Sequence, residues 1–135
     1  MEQTLSIIKP DAVKNGFVDD VNYLISENGL NILKSKKVKI SREIAEKFYS
    51  EHSEKPFFSE LDEFMTSSDS VVQVLEGKNA VNNYRKLMGA TNPNDADEGT
   101  LRAKFAESLS KNAVHGSDSL ESAHREINIM SEILD

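Results

Sequence analysis

The heptapeptide Asn112-Ala-Val-His-Gly-Ser-Asp118 holds the residue of this chain best suited to covalent chemistry. His115 sits among small residues that leave an imidazole accessible from one side, and Gly116 lets the backbone turn closely beside it. The other histidines, His52 and His124, have no such surroundings. By itself the segment also reads as a short buried strand whose histidine merely packs. A downstream carboxylate opens the chemical reading. Ala123, Ile127 and Met130 recur at i, i+4 and i+7 as the apolar stripe of a helix, and Glu126 lies at i+3, inside that stripe. A carboxylate there is costly to bury unless it is paired. Either it snorkels to water from the stripe edge, or it hydrogen-bonds a ring nitrogen of His115. The second arrangement would fix the tautomer and leave the other nitrogen free to attack.

Cations are the second ingredient. Lys9 continues the strand face set by Leu5 and Ile7, at a strand end where sites are often built. Arg85 lies between Val81 and Met88 and borders the buried face of its helix, where a structural salt bridge is the usual explanation. Arg102 falls in a long irregular stretch where a solvated charge is the default. Tyr49 and His52 are neighbours on one helix face, and Phe57 follows Pro56. Packing is the ordinary role of such aromatics and solvation that of His52. No glycine-rich phosphate loop is present, so any nucleotide site must use side chains. The histidines lack the HxH, HxxH and HxxxH spacings, and no dedicated metal site is expected.

The whole chain narrows the choice. Its 135 residues suggest one domain over residues 1–135, large enough for its own core. It has no cysteine, which excludes disulfides, thiolate zinc sites and thiol catalysis. The formal charge of −7 disfavours nucleic acid as the main ligand. An acidic protein can still bind phosphates by gathering a few cations locally. No apolar run approaches a membrane span, and the start shows no signal-peptide pattern, so a soluble, cytoplasmic protein is expected.

The elements that must position these residues follow from periodicity. Leu5 to Lys9 reads as a strand stopped by Pro10, and Val21, Leu24 and Ile25 as a helix closing at Gly29. Leu30 to Ile40 reads as a second strand. Ser41 caps a helix carrying Ile44, Ala45, Phe48 and Tyr49, and a short helical segment with Phe57, Leu61, Phe64 and Met65 follows Pro56. Val71 to Leu75 is the clearest β run, followed by a helix through Ala80, Val81, Tyr84, Leu87 and Met88. Gly89 to about Asn112 reads as a long ordered loop. Ala113 to His115 is the last strand, and Asp118 with Glu121 makes a capping-box-like start to the last helix. The pattern is βαββαβ with added helices. It predicts an α+β, ferredoxin-like sandwich with a four-stranded antiparallel sheet, helices on one face, and a long loop before the last strand.

Together these segments resemble nucleoside diphosphate kinase. The resemblance rests on Ile8-Lys9-Pro10-Asp11-Ala12-Val13, Phe48-Tyr-Ser-Glu-His52, Pro56-Phe57-Phe58, Met88-Gly-Ala-Thr-Asn-Pro93, Gly99-Thr-Leu-Arg-Ala103 and the heptapeptide, which span the chain. It implies a ping-pong phosphotransferase that moves a terminal phosphoryl group from a nucleoside triphosphate to a diphosphate. His115 would be the nucleophile, phosphorylated on Nδ1, with Glu126 and Ser117 supporting it. Lys9, His52, Arg85, Thr91 and Arg102 would hold phosphates, and Tyr49 would support the Lys9 ammonium. Phe57 would stack on the base, and Lys9 with Asn112 would meet the ribose. Mg²⁺ would arrive with the nucleotide, and the assembly would be a homo-oligomer, a tetramer or hexamer. Asp19 stands where the family usually has glycine, and Ser68-Asp69 where it has Gly-Pro. The tail ending Ile133-Leu-Asp135 lacks the aromatic ending of many relatives and would contact a neighbour or fray. A binding module without catalysis is the rival from another class, but the histidine and the cations it would have lost are all present. A phosphohistidine relay would be a helical bundle, which the β runs oppose.

Overall fold

A computed structural model describes residues 2–48, 64–108 and 111–134. In chain order its elements are β1 (Glu2–Ile8), α1 (Pro10–Lys14), α2 (Val18–Glu27), β2 (Asn31–Val38), α3 (Arg42–Phe48), β3 (Ser70–Gly77), α4 (Ala80–Met88), a 3-10 turn (Pro93–Asp95), α5 (Leu101–Phe105), β4 (Val114–Gly116) and α6 (Leu120–Leu134). The sheet is antiparallel throughout, in the order β2-β3-β1-β4. The central strands are buried on both faces, which is why Val71-Val-Gln-Val-Leu75 reads as a continuous run rather than an alternation. On one face Ile8, Val71 and Leu75 pack with Val21 and Ile25 of α2 and Tyr84, Leu87 and Met88 of α4. On the other, Leu5, Ile7 and Val72 pack with Ala45 and Phe48 of α3 and Met130 of α6. Helices were expected on one face only. The helices added to the βαββαβ core cover the second.

The boundaries have local causes. Pro10 does not merely stop the strand. It stands at the first position of the short helix α1, where its missing N–H costs nothing. Gly29, at φ 81°, closes α2 as expected. Ser41 caps α3, its hydroxyl accepting the Ile44 N–H at 3.2 Å. The cap of α6 is Ser119 rather than Asp118: the Ser119 hydroxyl accepts the Ser122 N–H at 3.1 Å. The stretch after Gly89 is not a structureless loop. Asn92 caps the 3-10 turn, and Thr100 caps α5 by accepting the Ala103 N–H.

Of the departures from the family pattern, Asp19 and Asp69 sit at the surface, whereas Ser68 is half-buried and its buried hydroxyl has no partner among the described residues. Asp19 is exposed in the first turn of α2, where a carboxylate suits the helix dipole. Asp69 is exposed just before β3. The tail does not fray as far as Leu134: Ile133 and Leu134 pack on the second core cluster, and Lys36 Nζ donates to the Ile133 carbonyl at 3.1 Å.

Gly116 shows why β4 can lie so close to α4. A Cβ at this position would stand 2.6 Å from Tyr84 Cδ2 and 2.7 Å from Met88 Cε. Close packing, rather than a tight turn, is what this glycine permits. Tyr84 cannot yield easily, because its ring is fully buried and its hydroxyl is 2.8 Å from Ser6 Oγ. Gly116→Ala should destabilise the protein by about 1–3 kcal/mol. The expected observation is a lower urea midpoint with an unchanged slope. An unaltered midpoint would mean that α4 can give way.

Candidate active site

Strand β4 and helix α6 bring His115 and Glu126 together. His115 Nε2 lies 3.0 Å from Glu126 Oε1. A carboxylate oxygen accepts, so the imidazole donates from Nε2 and its Nδ1 carries the free lone pair. Ser117 Oγ donates to the same Oε1 at 2.8 Å. Ser117 is itself tied to β1 twice: its hydroxyl accepts the Leu5 N–H at 3.3 Å, and its N–H donates to the Leu5 carbonyl at 3.3 Å. Glu126 is therefore paired rather than snorkelling. The His115 side chain is 22% exposed and that of Glu126 9%, so the imidazole faces outward and its carboxylate partner inward.

Immediately before β4 the chain makes a tight turn. Ala113 has φ 72°, and the Val114 N–H donates to the Asn112 carbonyl at 2.8 Å, a γ-turn. Such a conformation costs a non-glycine residue about 1–3 kcal/mol. Two bonds from the β1–α1 junction hold it: the Lys9 N–H donates to the Ala113 carbonyl at 2.8 Å, and the Ala113 N–H donates to Asp11 Oδ2 at 3.1 Å. Burial raises the pKa of Asp11, partly opposed by its backbone N–H bonds. The turn carries Asn112 to Lys9, whose Nζ donates to Asn112 Oδ1 at 2.8 Å. The Asn112 amide donates onward to the Thr91 carbonyl at 3.4 Å. Lys9 is thus a buried ammonium bonded to a neutral amide. Burial first, and then the charge of Arg102, bring its pKa down to about 8, with Asp11 pulling the other way.

Arg102 is not a solvated loop residue but a buried one on α5. Its Nη1 donates to the Gly89 carbonyl at 2.9 Å and its Nη2 to the Val114 carbonyl at 3.0 Å. Its buried Nε has no partner among the described residues. Burial lowers its pKa, and of the charges around it Arg85 lowers it further while Tyr84 and Asp118 raise it. Arg85 on α4 donates from Nη1 to the Asp118 carbonyl at 3.4 Å, beyond β4. Lys9 and Arg102 therefore repel each other, as do Arg102 and Arg85, beside the strand that holds His115. An acidic chain has gathered cations where their mutual repulsion favours an anionic ligand.

The structure thus joins His115, Glu126, Ser117, Lys9, Asn112, Thr91, Arg102 and Arg85 into one region. Tyr49, His52 and Phe57 lie outside the described residues. Two contributors carried little signal in sequence. Asp11 braces the γ-turn, and only its place in Lys-Pro-Asp pointed to it. Phe48, which reads as a core residue, also stands edge-on to the His115 ring, with centroids 4.9 Å apart.

The nucleoside diphosphate kinase family model matches residues 2–132. The chain belongs to the nucleoside diphosphate kinase family. It is 61% identical over 127 residues to the nucleoside diphosphate kinase of Campylobacter fetus, covering 94% of this chain and 93% of that protein. Its fold matches the crystal structure of the Encephalitozoon cuniculi enzyme with a TM-score of 0.94 at 43% identity, over 97% of this chain and 89% of that one. It also matches a halophilic nucleoside diphosphate kinase from Halobacterium salinarum in complex with CDP, with a TM-score of 0.91 at 38% identity, over 95% of this chain and 86% of that one. The protein is accordingly a phosphotransferase of nucleotide metabolism. It moves the terminal phosphoryl group of a nucleoside triphosphate to a nucleoside diphosphate in two half-reactions through a phosphohistidine.

Two measurements probe the geometry. Free Lys9 is charged below its pKa of about 8 and loses its proton above it. A bound phosphate favours the ammonium, so binding takes up a proton above that pH. Affinity for an adenine nucleotide should then fall by up to about tenfold per pH unit, and Lys9→Met should flatten the profile. A wild-type affinity that is constant from about pH 7 to about pH 9 would remove Lys9 from the site. Glu126→Gln should keep the fold and slow phosphorylation of the protein, by less than the ~10⁴ lost with an orienting carboxylate in a hydrolytic triad, because an amide oxygen still accepts the bond. An unchanged single-turnover rate would show that Glu126 does not orient the imidazole.

Proposed function

We propose that His115 is the phosphorylated histidine and that it attacks through Nδ1. The observation that carries this is the bond from Nε2 to Glu126, backed by Ser117, which leaves Nδ1 as the ring nitrogen with a free lone pair. In the first half-reaction Nδ1 attacks the terminal phosphorus, the bond to the bridging oxygen breaks, and the diphosphate leaves with that electron pair. Glu126 steadies the positive charge that develops on the ring. The second half-reaction runs the same steps backward with a new diphosphate.

Lys9, His52, Arg85, Thr91 and Arg102 hold the phosphates in this reading, and Tyr49 supports the Lys9 ammonium. Positioning and charge neutralisation are most of what phosphoryl transfer needs. Phe57 stacks on the base, which makes base identity matter little, since every base has a π face. Lys9 and Asn112, already bonded to each other, meet the ribose hydroxyls. In this reading Mg²⁺ arrives on the nucleotide's own phosphate oxygens rather than in a protein cage, and Lys9, Arg85 and Arg102 would take the remaining phosphate oxygens. When bound, the ion neutralises phosphate charge. The chain acts as one catalytic domain over residues 1–135 in the cytoplasm, as a homo-oligomer, a tetramer or hexamer. Its partners are nucleotides, not nucleic acid or membrane; no described helix is long and apolar enough to span one.

Protein treated with labelled triphosphate and Mg²⁺, without acceptor, should hold a label that acid removes and alkali spares, as a P–N bond requires. Any nucleoside diphosphate should discharge it into the matching triphosphate. His115→Ala should take up none, and Ser117→Ala should still label, more slowly. An acid-stable label, or a labelled His115→Ala protein, would overturn the assignment.

A further inference from the structure

Glu126 fixes one atom of the imidazole and leaves the ring a freedom that in-line attack must remove. The Cβ–Cγ bond of a histidine points across the ring, between Cε1 and Nε2. Nε2 therefore lies near the axis about which χ2 turns, and a hydrogen bond there restrains χ2 only weakly. The intrinsic χ2 preference is also broad. Nδ1, next to Cγ, lies further from that axis and sweeps as χ2 changes. The attacking atom is thus the one that Glu126 restrains less.

Phe48 stands against the imidazole and can supply such a restraint. Its ring meets His115 edge-on, at 4.9 Å between centroids and 73° between planes. It is 5% exposed and packed in the core cluster under the sheet, so it forms a fixed wall. Its backbone is held as well. Arg125 Nη2 donates to the Lys47 carbonyl at 2.8 Å and to the Phe48 carbonyl at 3.2 Å. These belong to the last turn of α3, whose carbonyls need partners from outside the helix and whose dipole favours a cation. Arg125 directly precedes Glu126, so neighbouring residues of α6 reach the imidazole by two routes, one at Nε2 and one through Phe48.

We propose that Phe48, held in place by Arg125, is a positioning residue that sets χ2 of His115 and so aims Nδ1 at the phosphorus. The inference rests on His115 being the nucleophile. Phe48→Leu keeps an apolar side chain, though a smaller one, and removes the flat ring. Its single-turnover phosphorylation by triphosphate and Mg²⁺ should slow about tenfold, with triphosphate affinity, measured separately, within about twofold of wild type. Arg125→Ala should slow the same step less, and the double variant should be no slower than Phe48→Leu, because Arg125 acts through Phe48. Nitrogen NMR should show the His115 ring signals sharp in the wild type and exchange-broadened in Phe48→Leu. A purely structural role would lower the melting temperature and leave the rate of the folded protein unchanged. That result, or fully additive effects, would overturn the proposal. If Phe48→Leu does not fold, Arg125→Ala on the half-buried face of α6 carries the test, and a wild-type rate and sharp ring signals in it would overturn the proposal too. His115→Ala, run alongside, separates the two levels: label in that variant defeats the nucleophile assignment itself.

Discussion

A carboxylate held on the apolar face of a helix is the constraint on which the rest of the site depends. Glu126 lies among Ala123, Ile127 and Met130, where an unpaired charge would cost several kcal/mol. Two donors, from Ser117 and His115, converge on one of its oxygens and offset that cost. Ser117 can be one of them only because two backbone bonds lock it to Leu5. Helix α6, strand β4 and strand β1 are thereby joined by one polar chain through an otherwise apolar layer. Shifting any of the three leaves a buried group unsatisfied, so the geometry of His115 is enforced by the stability of the fold.

The other half of the site runs against stability. Lys9 and Arg102 are buried cations whose hydrogen bonds go to a neutral amide and to carbonyls. Burial lowers the pKa of both, the charge of Arg102 lowers that of Lys9 further, and the charge of Arg85 does the same to Arg102. Ala113 adds a strained turn. Together they are a ground state that the free protein tolerates and that an anionic ligand relieves. In the proposed reading a nucleotide's phosphates would supply the missing negative charge, and part of the binding energy would come from relief of repulsion already present in the fold.

How much of this could be read beforehand depended on the length of each element. Strand β3, helices α2 and α4 and the odd placement of Glu126 were legible, because long periodic segments state which face is buried. Helices α1 and α5, five residues each, were not. They begin at Pro10 and Leu101 in stretches rich in glycine, proline and asparagine, where local signals suggest loops, and packing decides otherwise. Arg102 looked solvated for that reason and is instead buried against β4. Gly116 was read as a turn residue, because a sequence shows flexibility but not a neighbour: only the fold places Tyr84 where a Cβ would stand. Covering the second sheet face required knowing where α3 and α6 dock, which is tertiary information. Asp118 and Ser119 are both good caps, and one residue of register separated them.

The same geometry favours one of the two candidate nucleophiles that lie two residues apart, in line with the proposed reading. Ser117 is fully buried, its hydroxyl proton is given to Glu126, and its oxygen already accepts the Leu5 N–H. To attack phosphorus it would have to break both bonds and leave Leu5 N–H and Glu126 short of partners in a closed interior. His115 needs none of this. It is partly exposed, it gives its proton to Glu126 from one nitrogen, and the other carries a lone pair without any prior proton transfer. The fold spends its polar groups on orienting that ring rather than on activating a hydroxyl, and this suits a phosphoryl group that must be taken up and handed on again through the same atom.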